Sequence, residues 1–168
     1  KIVEENLKHR TPQLPSSSTI GSFFGAFLPE TDPEGIKEST EEADKILNDA
    51  LTNLNANTQE GYDKADSLFS QAAKAYDAEN LDKTSPNSAK ATIALEYAAA
   101  FRFLRNDPSS AIAIIQKAVS LHPRPKTYIL KALINADRAS FAEALADFEE
   151  AKRMDPDCAD TYYHIGQL

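Results

Sequence analysis

The chain has 168 residues, with 18 Lys or Arg against 26 Asp or Glu, a formal net charge of −8, and 42% hydrophobic residues. That balance excludes a nucleic-acid binder, which needs basic surface to displace phosphate counterions, and no apolar run is long enough for a transmembrane helix within these residues. The single cysteine, Cys158, excludes an internal disulfide and a cysteine zinc cluster, and a lone thiol leans towards a reducing compartment. Alanine occurs 26 times, nearly always after residue 40, and glycine only five times, which favours helix. Four of the nine prolines fall at Pro12, Pro15, Pro29 and Pro33, so the first part reads as irregular and the rest as helical. The chain begins at Lys1 rather than Met and stops at Leu168 within a helical pattern, as expected of a piece of a longer protein.

In chain order, residues 1–9 read as the tail of a helix and 11–19 as a Ser/Pro linker. Ile20–Leu28 carries three phenylalanines and is too short to be a stable helix in isolation, so it must dock. Ser39 with Glu42 fits a capping box, followed by apolar residues at helical spacing from Ala43 to Leu54. A second helix is expected over about 60–79, then a polar break, with Ser85-Pro86 as the next start signal. Asp107-Pro108 repeats that signal, and the helix it opens ends before His122-Pro123. Further helices are expected from Pro125 to Asp137, from Ser140 to Met154, and from about Ala159. No segment alternates with period two, so the fold is expected to be all-α.

The chain repeats itself. Pro123 and Pro156, Ala111 and Ala144, Ile115 and Phe148, Ala118 and Ala151, and Ala99 and Ala132 are each separated by about 33 residues. That is the tetratricopeptide (TPR) pattern, a solenoid of helical hairpins. Small residues let helices approach, a large residue fills the gap between them, and proline closes the second helix. The expected organisation is a connector over 1–38 with a Phe-rich docking segment and a divergent hairpin with an insertion over 39–91. TPR units follow at 92–124 and 125–158, and a further unit starts at 159–168. Lys131 and Asn135, and Arg102 in the earlier unit, depart from the consensus of their first helices.

Solenoids bind ligands on the concave face built by first helices. The positions expected there are Glu96, Ala100 and Phe103, then Ile129, Leu133 and Ala136, then Tyr163 and Gln167. This mainly apolar lining suits an apolar peptide and lacks the Lys/Asn set that clamps acidic tails. The alternative is that neighbouring segments cover it. Phe23, Phe24 and Phe27 allow two readings: a plug packed between connector and solenoid, or a segment that occupies and gates an apolar groove. Glu143, Asp147, Glu149 and Glu150 form an acidic stripe, read as a solvated face or as an attractor of basic segments. His9, His122 and His164 have no ligand spacing, and no phosphate-binding glycine loop occurs. Neither a cofactor nor an enzymatic activity is expected.

Ser22-Phe-Phe-Gly-Ala-Phe-Leu-Pro-Glu30, Tyr62-Asp-Lys-Ala-Asp66, Phe101-Arg-Phe-Leu-Arg-Asn-Asp-Pro108, Ala132-Leu-Ile-Asn-Ala-Asp-Arg138 and Tyr162-Tyr-His-Ile-Gly-Gln167 carry a more specific likeness. From about residue 20 onward the chain resembles the middle of the large TPR import receptors of the mitochondrial outer membrane, in their fungal form. The resemblance implies a non-enzymatic receptor facing the cytosol, anchored by a segment outside this chain. It further implies binding of mitochondrial preproteins, notably hydrophobic carriers with internal signals, and contact with other TOM-complex subunits. Hsp70 and Hsp90 chaperones would be bound only by repeats that this chain lacks. A TPR scaffold for folded partners, or a chaperone adaptor reading acidic tails, is the alternative. With Tyr162, Tyr163 and Ile165 lacking a following helix, the chain is expected to self-associate or exchange its last helix.

Overall fold

The computed structural model describes residues 13–27, 36 and 41–157. Among them are seven helices and no strand: α1 (Ser17–Phe27), α2 (Glu42–Asn55), α3 (Gln59–Ala75), α4 (Ser88–Leu104), α5 (Pro108–Leu121), α6 (Pro125–Asp137) and α7 (Phe141–Met154). The fold is all-α. Helices α2 and α3, α4 and α5, and α6 and α7 form three tightly packed hairpins, and smaller contacts join α3 to α4 and α5 to α6.

Small residues make this stacking possible. Ala65, Ala72, Ala111, Ala118, Ala144 and Ala151 on the second helices have no solvent exposure, and the large Phe69, Ile115 and Phe148 between them are also buried. Burial of such side chains contributes roughly 1.5–3 kcal/mol each. Gly61 opens α3 against the end of α2 so closely that a Cβ there would stand 2.5 Å from the Asn53 carbonyl oxygen.

The helix ends follow local chemistry. Asp107 accepts a hydrogen bond from the Ser110 amide at 3.2 Å, with Pro108 in the first turn of α5. Hydrogen bonds from Ser110, and to a lesser extent the charge of Arg102, hold the Asp107 carboxyl below its usual range. Helices α5 and α7 stop ahead of Pro123 and Pro156. Helices α2, α3, α4 and α6 are each followed by a residue with positive φ: Asn57, Asp77, Asn106 and Ala139.

Several expected boundaries shift. Ser17–Thr19 belong to α1 rather than to a linker, because Ile20 needs a helical register to reach the core. The N-cap of α2 is Glu41, without a side-chain cap bond, rather than Ser39, which lies outside the described residues. Helix α3 ends at Ala75, earlier than the pattern suggests. Tyr76 turns inward to Asp44, and Asp77 takes up the left-handed conformation. Ser85-Pro86 sits in a turn, and α4 begins three residues later behind Asn87. The readings of residues 1–9, Cys158 and the helix from about Ala159 lie outside the described residues.

Candidate functional site

Helix α4 runs through the middle of the molecule, and nearly every residue from Ala91 to Phe101 is buried. One of them is Glu96, 1% exposed. A buried carboxylate is tolerable only when its oxygens are paired. Arg124 supplies a fork, with Nε 2.8 and 3.0 Å from Oε1 and Oε2 and Nη2 2.8 Å from Oε2. The Thr127 hydroxyl donates to Oε1 at 2.8 Å and accepts from the Arg124 amide at 3.1 Å. One carboxylate thus fixes the start of α6 against α4.

The same device recurs. Asp44 on α2 accepts from the Tyr76 hydroxyl, and from Lys90 on α4 at 2.9 Å. Burial, and then the bond to the Asp44 carboxylate and its negative charge, raise the pKa of the Tyr76 phenol. Asp66 on α3 pairs with Arg105 at 2.6 Å, just beyond α4. Asp147 on α7 accepts from Lys131 and from Asn135, both on α6 and both at 2.8 Å. The last pair explains why α6 departs from the TPR consensus at those positions. It also removes Asp147 from the acidic stripe, since Asp147 is buried inside its hairpin; Glu143 and Glu149 are exposed, and Glu149 and Glu150 make surface pairs with Lys152 and Arg153.

Of the residues expected on the first-helix face, Glu96, Ala100 and Ile129 are buried, while Phe103, Leu133 and Ala136 are half-buried against the core. The latter three offer the accessible apolar surface of the set. Tyr163 and Gln167 lie outside the described residues. Helix α1 docks nearby on α3 and α4. Ile20 is fully buried, and the Phe24 ring lies 5.1 Å from Phe101 and 5.7 Å from Tyr97. Phe69 stacks on Tyr97 at 4.7 Å behind them. Phe23 meets Phe24 edge-on and lies 6.0 Å from Phe103. The aromatic segment therefore covers part of the first-helix face that begins at Phe103, and the side chain of Phe27 lies outside the described residues.

The buried ion pairs were not foreseen. A lone Glu in the run Ala-Thr-Ile-Ala-Leu-Glu-Tyr-Ala-Ala-Ala was the one signal, since a charge there must find a partner. His122 is exposed at the end of α5, and no cluster of three or more His, Cys, Asp or Glu among the described residues could hold a metal.

No protein-family model matches the chain. The mitochondrial import receptor subunit TOM70 of Saccharomyces cerevisiae is 42% identical over 164 residues, which are 96% of this chain and 26% of that protein. The backbone superposes on the crystal structure of yeast Tom70 with a TM-score of 0.80, at 41% identity over 99% of this chain and 33% of that one. This chain is related to TOM70. Human TOM70 is 26% identical over 179 residues, or 98% of this chain and 28% of that protein. The chain spans about a quarter of the length of these TOM70 relatives. Its buried carboxylates and docked aromatic helix belong to a TOM70-like arrangement of helical repeats.

Proposed function

We propose that this chain acts, without enzymatic activity, as part of a TOM70-type import receptor on the cytosolic side of the mitochondrial outer membrane. There it helps to bind preproteins with hydrophobic internal signals. The observation that carries this reading is the 42% identity to a mitochondrial import receptor subunit across 96% of the chain. The half-buried apolar side chains of Phe103, Leu133 and Ala136 supply a surface on which an apolar segment can lie. Other TOM-complex subunits are the assembly partners in this reading, and Hsp70 or Hsp90 would be met only through repeats outside this chain. Among the described residues no helix is long and apolar enough to cross a membrane.

Retention of a hydrophobic carrier-type signal peptide on the immobilised chain tests the reading. Leu133→Asp places a charge on the accessible face and should weaken retention by about tenfold or more, roughly 1.4 kcal/mol, with an unchanged helical spectrum. Equal retention of a scrambled polar peptide, or of the signal peptide by the variant, would overturn the reading.

A further inference from the structure

Helix α1 docks through a small set of side chains. Over Ser17–Phe27 its buried residues among those described are Ile20 and Phe24, one turn apart, with Phe23 half-buried beside them. Eleven residues do not make a stable helix in water, so α1 is helical because it docks. Its sequence weakens it further. The amide of Thr19 reaches the capping hydroxyl of Ser16 at 3.5 Å, longer than a good hydrogen bond. Gly21 and Gly25 each lower the helix propensity. Gly21 has a packing reason, since a Cβ there would stand 3.3 Å from the Tyr62 hydroxyl oxygen. Gly25 has none: a Cβ there would meet nothing within 4 Å.

The surface beneath α1 is aromatic. Phe24 lies against Phe101 and Tyr97, and Phe69 backs Tyr97. These rings belong to α3 and α4, which pack on each other and on α2 and α5. The surface also continues past α1, because Phe23 lies beside Phe103 at the start of the accessible first-helix face. When α1 leaves, the rings of Tyr97 and Phe101, now 2% and 0% exposed, join that face as one apolar strip.

We infer that α1 is a displaceable internal ligand. The groove on α3 and α4 binds an apolar helical segment of a partner protein, whose large side chains four residues apart take the places of Ile20 and Phe24. A tethered segment competes at a roughly millimolar effective concentration, so α1 sets a threshold. Short apolar chains are kept out, and a longer segment that also covers Phe103 gains the contacts to replace it. Neither the groove nor its test depends on the import-receptor reading.

Amide NMR on the isotopically labelled chain tests this. In hydrogen exchange, protection at Gly21–Gly25 should be at least about a hundredfold below that at Tyr97–Phe101. The Phe24→Ala chain should keep native dispersion over α2 to α7. It should bind the α1 peptide, acetyl-Ser-Ser-Thr-Ile-Gly-Ser-Phe-Phe-Gly-Ala-Phe-amide, at least about tenfold more tightly than wild type, with saturable shifts at Tyr97 and Phe101. Ile20→Ser with Phe24→Ser in the peptide should weaken that binding at least about tenfold. Ser22→Ala with Gly25→Ala in the peptide, at two positions exposed in α1, should tighten it about fivefold. Four outcomes overturn the inference: α1 amides protected as strongly as those of α4, loss of the native fold in Phe24→Ala, no shifts in that variant up to about 1 mM peptide, or equal binding of the Ser-substituted peptide.

Discussion

Glu96 and Arg124 stand 28 residues apart in sequence, and they carry the junction between two repeats. Removing the Arg124 side chain would leave a carboxylate at 1% exposure with the Thr127 hydroxyl as its remaining described hydrogen-bond donor. Stripping one partner from a buried pair typically costs about 3–5 kcal/mol. Arg124→Ala should therefore lower the stability measured by urea unfolding by about that amount. The double variant Glu96→Leu with Arg124→Met, which has no charge to strand, should recover most of the loss. A single variant within about 0.5 kcal/mol of wild type would show that the pair contributes nothing. This is the part of the site that the sequence hid. Periodicity puts Glu96 on a first helix and therefore among the groove candidates, but it cannot say that an arginine from the following repeat closes over it. Phe103, Leu133 and Ala136 are half-buried against the core, with the Phe23 ring beside Phe103.

At the scale of the helix, the ends were legible wherever a residue forces a chain reversal. Asp107-Pro108, Pro123 and Pro156 act through the missing amide and the fixed φ, which need no tertiary context. Helix α1 and the end of α3 were less legible because tertiary contacts decide them: Ile20 and Phe24 entering the core, and Tyr76 reaching Asp44. Left-handed residues close four of the helices, and three of these are Asn or Asp, which tolerate that conformation. The exception is Ala139, with φ of 60°, one repeat after Asn106 with φ of 66°. An alanine pays steric strain there that glycine avoids, partly offset by glycine's greater freedom when unfolded. Ala139→Gly should stabilise the chain by about 0.5–1 kcal/mol, read as a higher urea midpoint at constant slope. A lower midpoint would mean that the α6–α7 turn is not strained.

At the scale of the whole molecule, each described hairpin buries its apolar face against a neighbour, and two large apolar side chains of α7 stay exposed. On α5, Ile112 is 8% exposed, in a helix covered by α4 and α6. Its counterpart 33 residues later is Leu145 on α7, 44% exposed, and one turn away Phe141 is 58% exposed. These two are the exposed large hydrophobic residues among those described. They sit on one face of one helix, four residues apart, so they form a single patch. A solenoid end needs a polar cap to remain soluble, because each repeat buries its apolar face only against a neighbour. Among the described residues none covers Phe141 and Leu145 on α7, and a second copy of the chain presents the same apolar face. A symmetric contact of α7 with α7 would bury both patches at once. Light scattering should accordingly show a mass that rises with concentration, and Phe141→Ser with Leu145→Ser should return it to that of a monomer without loss of helical signal. A wild-type chain that stays strictly monomeric at high concentration, or a double variant that associates equally well, would show that the patch is too small to drive assembly.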